Sequence, residues 1–255
     1  MNTVPRFSER AHFYDRFRWD YADEAVKTVI AECGLSRNAI VADIGSGSGM
    51  LTRHFVGRVG MVLAVEPSTE MRAIAARQLR GAVRHINGFA DNTTLPDHHV
   101  DMIAIGRALH WFPADSTRKE FHRILKSGGW MAIFSVPCTN EKLLESLRGV
   151  RTVENGWAVA ADKTQMKNVP LSFYFGHESF KKLSFPASVL ETCDEFVGRV
   201  CSFSPAPTKN DPLRPRFEKA LREVFEQHAV GGVLHISIAT EITFGQIRTD
   251  VREDI

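Results

Sequence analysis

Cysteine is scarce in this sequence, and its four cysteines are widely separated. Cys33, Cys138, Cys193 and Cys201 contain no CxxC pair, so their spacing indicates neither a zinc site nor a redox dithiol. Free thiols in a reducing compartment are the expected state. We therefore expect no metal site.

An excess of charge of one sign is also missing. The chain has 32 basic and 30 acidic residues, which gives a formal net charge of +2. This balance provides no electrostatic reason to expect nucleic acid or a membrane surface as a partner. No stretch approaches the ~18 apolar residues of a membrane helix, and the polar N-terminal residues lack the apolar region of a signal peptide. We expect a cytoplasmic protein, either a monomer or a homodimer.

The composition is typical of a globular protein domain. Of the 255 residues, 44% are hydrophobic, which is enough to build a sizeable core and argues against disorder. The length fits one domain with an embedded cap better than two independent domains. We expect a single domain over residues 1–255, with a ligand-binding core over 36–137 and cap segments over 138–180 and 191–215.

Short apolar runs alternate with helical patterns in the first half of the chain. This alternation predicts a parallel sheet with helices on both faces, an α/β fold of the Rossmann-like kind with about seven strands. A late run that alternates between apolar and polar residues, His235–Ile247, predicts a final antiparallel strand at the edge of the sheet. The predicted strands before it are Asn38–Ile44, Gly60–Val65, Val83–Asn87, Val100–Ile105, Gly129–Val136 and Lys182–Leu190.

The strongest functional pattern is a glycine-rich turn between the first predicted strand and the following helix. It reads Asp43-Ile-Gly45-Ser46-Gly47-Ser-Gly49. Glycines allow a ligand to approach the backbone, and the helix N-terminus offers free N–H groups and partial positive charge. Pyrophosphate or the carboxylate of an amino acid would suit such a site. The spacing differs from the GxGxxG of dinucleotide enzymes, because Met50 stands where the third glycine would be.

An acidic residue ends the second predicted strand. Glu66 lies at the sheet edge where open α/β folds bind ligands, and its carboxylate could accept two ribose hydroxyl protons. Dinucleotide enzymes share this feature, so Glu66 does not distinguish between nucleotide cofactors.

Together, DxGxGxG and the downstream acid resemble the first motifs of class I S-adenosylmethionine-dependent methyltransferases. Arg107-Ala-Leu-His110-Trp111-Phe112, after the fourth strand, is similar to the AxHWF stretch of small-molecule members related to trans-aconitate and ubiquinone/menaquinone pathway enzymes. The resemblance is strong over about 40–135 and faint over 138–180. It implies S-adenosylmethionine as cofactor and a small-molecule acceptor whose oxygen, carbon or carboxylate is methylated.

The same resemblance assigns roles to individual residues. Ala90 and Asp91 match the segment that contacts adenine in the family, while Phe89 replaces the usual Asp or Thr and is expected to pack on the purine instead. Trp111 and Phe112 are expected to line the substrate site, and His110 is a candidate general base, with a structural role as the alternative. The remaining residues expected at the donor site are Tyr14, Arg18, Pro67, Met71 and Arg107.

Tyr14 and Arg18 are expected to share one face of an N-terminal helix that covers the methionine end of the donor. The sequence contains no Asn/Asp-Pro-Pro-Tyr/Phe tetrad, which disfavours methylation of a nucleobase or glutamine nitrogen. Two alternatives remain open: a nicotinamide-dependent oxidoreductase and a binding module that holds S-adenosylmethionine without transferring its methyl group.

Overall fold

The structure is a computed structural model that describes residues 17–157 and 169–248. Its centre is one sheet of seven strands in the order β3-β2-β1-β4-β5-β7-β6. The strands β1 to β5 run parallel, and the order reverses between β1 and β4. The strands are β1 Ile40–Ile44, β2 Met61–Val65, β3 Val83–Ile86, β4 Val100–Gly106, β5 Leu125–Ser135, β6 Lys181–Glu191 and β7 Leu234–Gln246. The predicted Rossmann-like α/β class is therefore confirmed.

The last strand occupies a different place from the one predicted. Strand β7 is antiparallel to both neighbours and lies between β5 and β6, so β6 forms the edge. The burial of both strands explains this order, because β7 is largely buried whereas β6 is mostly exposed. Lys181, Lys182 and Pro186 lie on β6, and lysine and proline suit an edge strand that must not pair with another chain.

Helices cover both faces of the sheet. Ser68 caps α3 by accepting a hydrogen bond from the Met71 N–H, and Thr192 and Glu195 form a capping box at the start of α7. The α-helices beyond Phe17 are α1 Asp23–Glu32, α2 Thr52–Phe55, α3 Thr69–Gln78, α4 Ala114–Ile124, α5 Glu141–Val150, α6 Leu171–Phe175, α7 Cys193–Cys201 and α8 Arg214–His228. No described helix has the length and apolar character needed to cross a bilayer.

The helical pattern that the sequence shows over 8–30 is interrupted at residues 18–22, between the helical Phe17 and Asp23. Helix α1 starts at Asp23, and residues 19–22 have no regular secondary structure. Three tertiary hydrogen bonds hold this segment: the Trp19 indole donates to Glu191, the Trp19 carbonyl accepts from Arg107, and the Ala22 N–H donates to the Thr240 hydroxyl. We call residues 17–22 the N-terminal strap. Its tertiary contacts override the local helical preference.

Two apolar clusters, one on each face of the sheet, form the core. One of them includes Tyr21 and Phe55, whose rings each lie edge-on to Phe134 with centroids 6.0 and 6.2 Å away. Helices α5, α7 and α8 pack on the same cluster. In this region Trp157, from the first predicted cap segment, lies 6.4 Å from the ring of Phe203 in the second. The division into core and cap stays a prediction.

Candidate active site

A pocket opens at the carboxyl ends of β1, β2 and β4, where the strand order reverses. This is the place where open α/β sheets bind their ligands. Its wall brings together twelve of the residues predicted from the sequence: Asp43, Gly45, Ser46, Gly47, Glu66, Pro67, Met71, Ala90, Asp91, Arg107, Trp111 and Phe112.

The glycine-rich turn forms the floor of the pocket. The N–H groups of Gly45 and Ser46 donate to the Val65 carbonyl, so the turn is attached to the end of β2. Gly47 has a φ of +57°, and a Cβ added to it would meet no atom within 4 Å. A ligand can therefore lie directly on this backbone.

Glu66 connects the turn to the helix that follows β2. Its side chain is buried, and its two carboxylate oxygens accept hydrogen bonds from the N–H groups of Gly47 (2.9 Å) and Ser68 (2.8 Å). Burial raises the pKa of Glu66, while these two hydrogen bonds act in the opposite direction. The carboxylate is held in a fixed orientation, with lone pairs left for a ligand in the pocket.

Asp43 lies deeper, with no exposed surface. One of its oxygens accepts a hydrogen bond of 2.6 Å from the Thr52 hydroxyl, and the other, Oδ1, has no hydrogen-bond partner among the described residues. Burial raises the pKa of Asp43 to about 7, and the nearby Glu66 carboxylate contributes to the rise. An unsatisfied buried acceptor in a pocket wall calls for a ligand that carries a donor or a positive charge.

The loop after β3 forms one side wall. Phe89 is 52% exposed although it lines the pocket, so its ring offers an apolar face to a ligand. Beneath the loop, the buried Glu120 accepts hydrogen bonds from both the N–H and the hydroxyl of Thr93. Burial alone would raise the pKa of Glu120, but the hydrogen bonds from Arg123 and Thr93 lower it to about 2. The Glu120 carboxylate thus attaches the loop to α4.

Arg107 and the N-terminal strap form the opposite wall. Arg107 has a φ of +57°, which is unfavourable for a residue with a side chain. Its N–H donates to the Phe134 carbonyl, its guanidinium donates to the Trp19 carbonyl at 2.9 Å, and its Cζ lies 4.7 Å from the centre of the Tyr21 ring. These contacts hold the strained backbone in place.

A short 3-10 helix, Leu109–Trp111, follows Arg107 and forms the mouth of the pocket. Trp111 and Phe112 line the wall, and Phe112 packs edge-on against Phe121 of α4. The rings of His110 and Trp111 have centroids 4.9 Å apart. Solvent reaches the His110 side chain, but the surrounding protein removes part of its hydration; this and the positive charge of Arg18 lower the pKa of His110.

Comparison with known proteins identifies the domain that carries this pocket. Residues 42–133 match the family described as "Methyltransferase domain". An uncharacterised methyltransferase of Schizosaccharomyces pombe is 29% identical over 53% of this chain and 57% of its own length. The ubiquinone/menaquinone biosynthesis C-methyltransferase of Azotobacter vinelandii is 34% identical over 41% of this chain and 46% of its own length. The chain thus spans about half the length of these two relatives.

The segment 42–133 of this chain is thus similar to methyltransferase domains. A solved structure from Anaeromyxobacter dehalogenans, described provisionally as a type II methyltransferase, has the same fold. It superimposes with a TM-score of 0.63 at 20% identity and covers 90% of this chain and 98% of its own. The resemblance to class I methyltransferases that the motifs predict is therefore confirmed.

Three predicted residues do not line the pocket. Gly49 faces α3 instead, where an added Cβ would lie 2.6 Å from Leu79 Cδ1, so its absent side chain permits close packing. Arg18 lies against Phe203, 4.1 Å from the ring centre, and donates to the Ser202 carbonyl. His110 stands at the mouth rather than in the wall. Tyr14 lies outside the described residues.

Several wall residues of the pocket were not predicted from the sequence. Tyr21 and Leu51 lie in the wall because the strap and the start of α2 fold over the turn, and no motif marks either residue. Gly106 was missed although its signal was available: an added Cβ there would lie 2.6 Å from the Tyr21 hydroxyl, as expected for a glycine at the end of a central strand. The other missed wall residues are Ser48, Met50, Gly88, Ala108 and Pro113, whereas Phe89 lines the pocket as expected.

Proposed function

We propose that this protein transfers a methyl group from S-adenosylmethionine to a small-molecule acceptor. The observation that carries the proposal is the pair of buried carboxylates, Asp43 and Glu66, that face one pocket beside a glycine-rich turn. A donor with two ribose hydroxyls and an ammonium group matches this pair. The methyltransferase family of residues 42–133 supports the same cofactor.

The residues of the pocket fit the parts of this donor one by one. Glu66, oriented by the N–H groups of Gly47 and Ser68, would accept the ribose hydroxyls. The unsatisfied Asp43 Oδ1 would accept a hydrogen bond from the ammonium group of the methionine part. Phe89 would pack against adenine, with Asp91 beside it.

The chemistry makes modest demands on the protein. When bound, S-adenosylmethionine supplies a methyl group already activated by its sulfonium. Arg107, Trp111 and Phe112 would exclude water and align the acceptor for in-line attack. Alignment of two reactants alone contributes about 7–11 kcal/mol to a barrier.

His110 is the residue we propose for proton removal when the acceptor is a hydroxyl or an acidic carbon. Its lowered pKa keeps the imidazole neutral at neutral pH, so it can accept a proton at the mouth of the pocket. One relative is named a C-methyltransferase, and carbon acceptors require removal of a proton. A carboxylate acceptor would need no base.

A direct test compares cofactors and then measures transfer. S-adenosylhomocysteine should raise the melting temperature of the protein, whereas NADH and NADPH should not. The protein should then release S-adenosylhomocysteine from S-adenosylmethionine when a panel of small hydroxyl, carbon-acid and carboxylate acceptors is supplied. Stabilisation by NADH equal to that by S-adenosylhomocysteine would contradict the proposal, and donor binding without any transfer would favour a binding module.

A further inference from the structure

Positive charge accumulates where the N-terminal strap meets α5 and α7. Arg18, Arg151 and Arg199 lie in this region, and Glu191 forms an ion pair with Arg199. Glu191 already accepts three hydrogen bonds: Arg199 donates to both of its oxygens, at 2.7 and 3.0 Å, and the Trp19 indole donates to the first of them. Glu191 therefore balances the positive charge of Arg199. Arg151 forms no ion pair with any described residue.

The guanidinium of Arg151 is partly buried and lacks polar partners among the described residues. Arg151 follows α5 directly, and its guanidinium carbon lies 5.0 Å from the ring centre of Trp157 and 5.2 Å from that of Phe203. Its buried Nε has no hydrogen-bond partner, and its guanidinium makes no ion pair or hydrogen bond within the described residues. Burial and the positive charge of Arg199 lower its pKa to about 10, so it remains charged at neutral pH.

Such an arrangement is unfavourable without an anion. A half-buried charge with no opposite charge has lost hydration that nothing replaces. The two aromatic faces recover part of this loss, because a cation near a ring gains ~0.5–2 kcal/mol, but they leave the directed N–H groups of the guanidinium unused. These N–H groups form a fork that matches a carboxylate or a phosphate.

The site is connected to the donor pocket through a short series of contacts. Arg18 packs on the same Phe203 ring as Arg151, with its guanidinium carbon 4.1 Å from the ring centre. The next residue, Trp19, accepts a hydrogen bond through its carbonyl from Arg107 in the pocket wall. Arg18 is also close enough for its charge to act on His110 at the mouth. These contacts join Arg151 to the pocket wall at Arg107 and to its mouth at His110.

We propose that Arg151, between Trp157 and Phe203, binds the anionic group of the methyl acceptor, a carboxylate or phosphate attached to an apolar body. The proposal rests on the methyl-transfer function proposed above, and it narrows the acceptor class from any small molecule to an anion. Trp157 and Phe203 are both partly exposed and provide the apolar surface for the rest of the molecule. The anion would also balance the charge that the sulfonium adds nearby.

The test measures anion binding by calorimetry, with and without saturating S-adenosylhomocysteine. The probes are benzoate, octanoate and phenyl phosphate, each paired with a neutral counterpart: benzamide, octanamide and phenol. Arg151→Met removes the charge and keeps an apolar stem of similar length, whereas Arg151→Lys keeps the charge without the fork. Arg148→Met is the matched control, because Arg148 is exposed on α5 one turn earlier.

At least one anion should bind at least tenfold more tightly than its neutral counterpart. Arg151→Met should lose at least tenfold in affinity for that anion, Arg151→Lys should fall between the two, and Arg148→Met should stay within twofold of the wild type. The comparison of benzoate with phenyl phosphate distinguishes carboxylate from phosphate. The melting temperature of Arg151→Met should not fall below that of Arg148→Met, because the substitution removes a charge that no described residue pairs with.

Three results would overturn the proposal: no saturable binding of any of the three anions, equal binding of neutral counterparts, or equal anion affinity in the Arg151→Met and Arg148→Met proteins. A large fall in the melting temperature of Arg151→Met would assign the residue to packing against the aromatic rings and would also contradict it. Failure of the donor proposal is recognised separately, because S-adenosylhomocysteine would then not bind the wild type, while the titration of the free protein still decides whether Arg151 holds an anion.

Discussion

Asp43 makes the donor proposal testable through pH. In the free protein burial raises its pKa to about 7. A bound ammonium group beside Oδ1 would return the pKa of the Asp43 carboxyl group to its ordinary value of about 4. Donor binding would then release a proton whenever Asp43 starts protonated. With these two pKa values, one proton is linked to binding between pH 4 and 7, and donor affinity at pH 5 should be about 80-fold lower than at pH 8.

Asp43→Asn is the informative variant, because an amide oxygen can still accept the Thr52 hydroxyl proton that Asp43 accepts now. The variant should bind S-adenosylhomocysteine weakly at pH 8 and lose most of the pH dependence. Calorimetry in two buffers of different ionisation enthalpy would measure the released proton directly. Asp115→Asn, at an exposed acid in the first turn of α4, serves as the control.

The same residue should also affect the stability of the free protein. The pKa of Asp43 is higher in the folded state than the value of about 3.9 expected in the unfolded chain. The folded state therefore binds more protons between pH 4 and 7, and its stability falls as the pH rises through this window, by about 4 kcal/mol for this group. Free Asp43→Asn should be more stable than the wild type at pH 8. If its donor affinity keeps the wild-type pH dependence, or its stability at pH 8 is lower, the assigned role of Asp43 is refuted.

Three further predictions concern single residues. Glu66→Gln should lower S-adenosylhomocysteine affinity at least tenfold in calorimetry, because a charged acceptor of ribose hydroxyls is lost; affinity within twofold would place the ribose elsewhere. Gly49→Ala should destabilise the protein by about 1–3 kcal/mol in urea unfolding, since the new Cβ overlaps Leu79 at a φ of +88°, and an unchanged midpoint would contradict the packing role. His110→Ala should reduce turnover by about 10²–10⁴ with donor affinity unchanged; a variant that keeps half its turnover removes His110 from the chemistry.

The features that sequence predicted well are those determined within a few consecutive residues. The turn from Asp43 to Gly49 and the acid at Glu66 each follow a buried apolar strand, and parallel strands bring their carboxyl ends to one edge. Local pattern therefore placed both carboxylates in one pocket. The same logic located the aromatic pair Trp111 and Phe112 after β4.

The features it missed depend on contacts between distant parts of the chain. Tyr21 reaches the pocket because Trp19 donates a hydrogen bond to Glu191, 172 residues away. The local sequence around Trp19 does not indicate this contact. Arg18 was assigned to the donor from helical spacing, yet the chain is not helical at 19–22, and the side chain points towards Phe203. The place of β7 inside the sheet follows from pairing with β5 and β6 together, which alternation alone cannot predict.

The position of β7 has a consequence for synthesis on the ribosome. Strands β5 and β6 are translated before β7, yet they do not pair with each other, because β7 lies between them in the sheet. Roughly 40 residues separate the end of β6 from the start of β7, a delay of about 2–8 s at ordinary rates of elongation. During this interval the nascent chain presents two open strand edges that β7 will later fill. Chaperone binding to nascent chains halted between β6 and β7 should therefore exceed binding to chains released after Gln246.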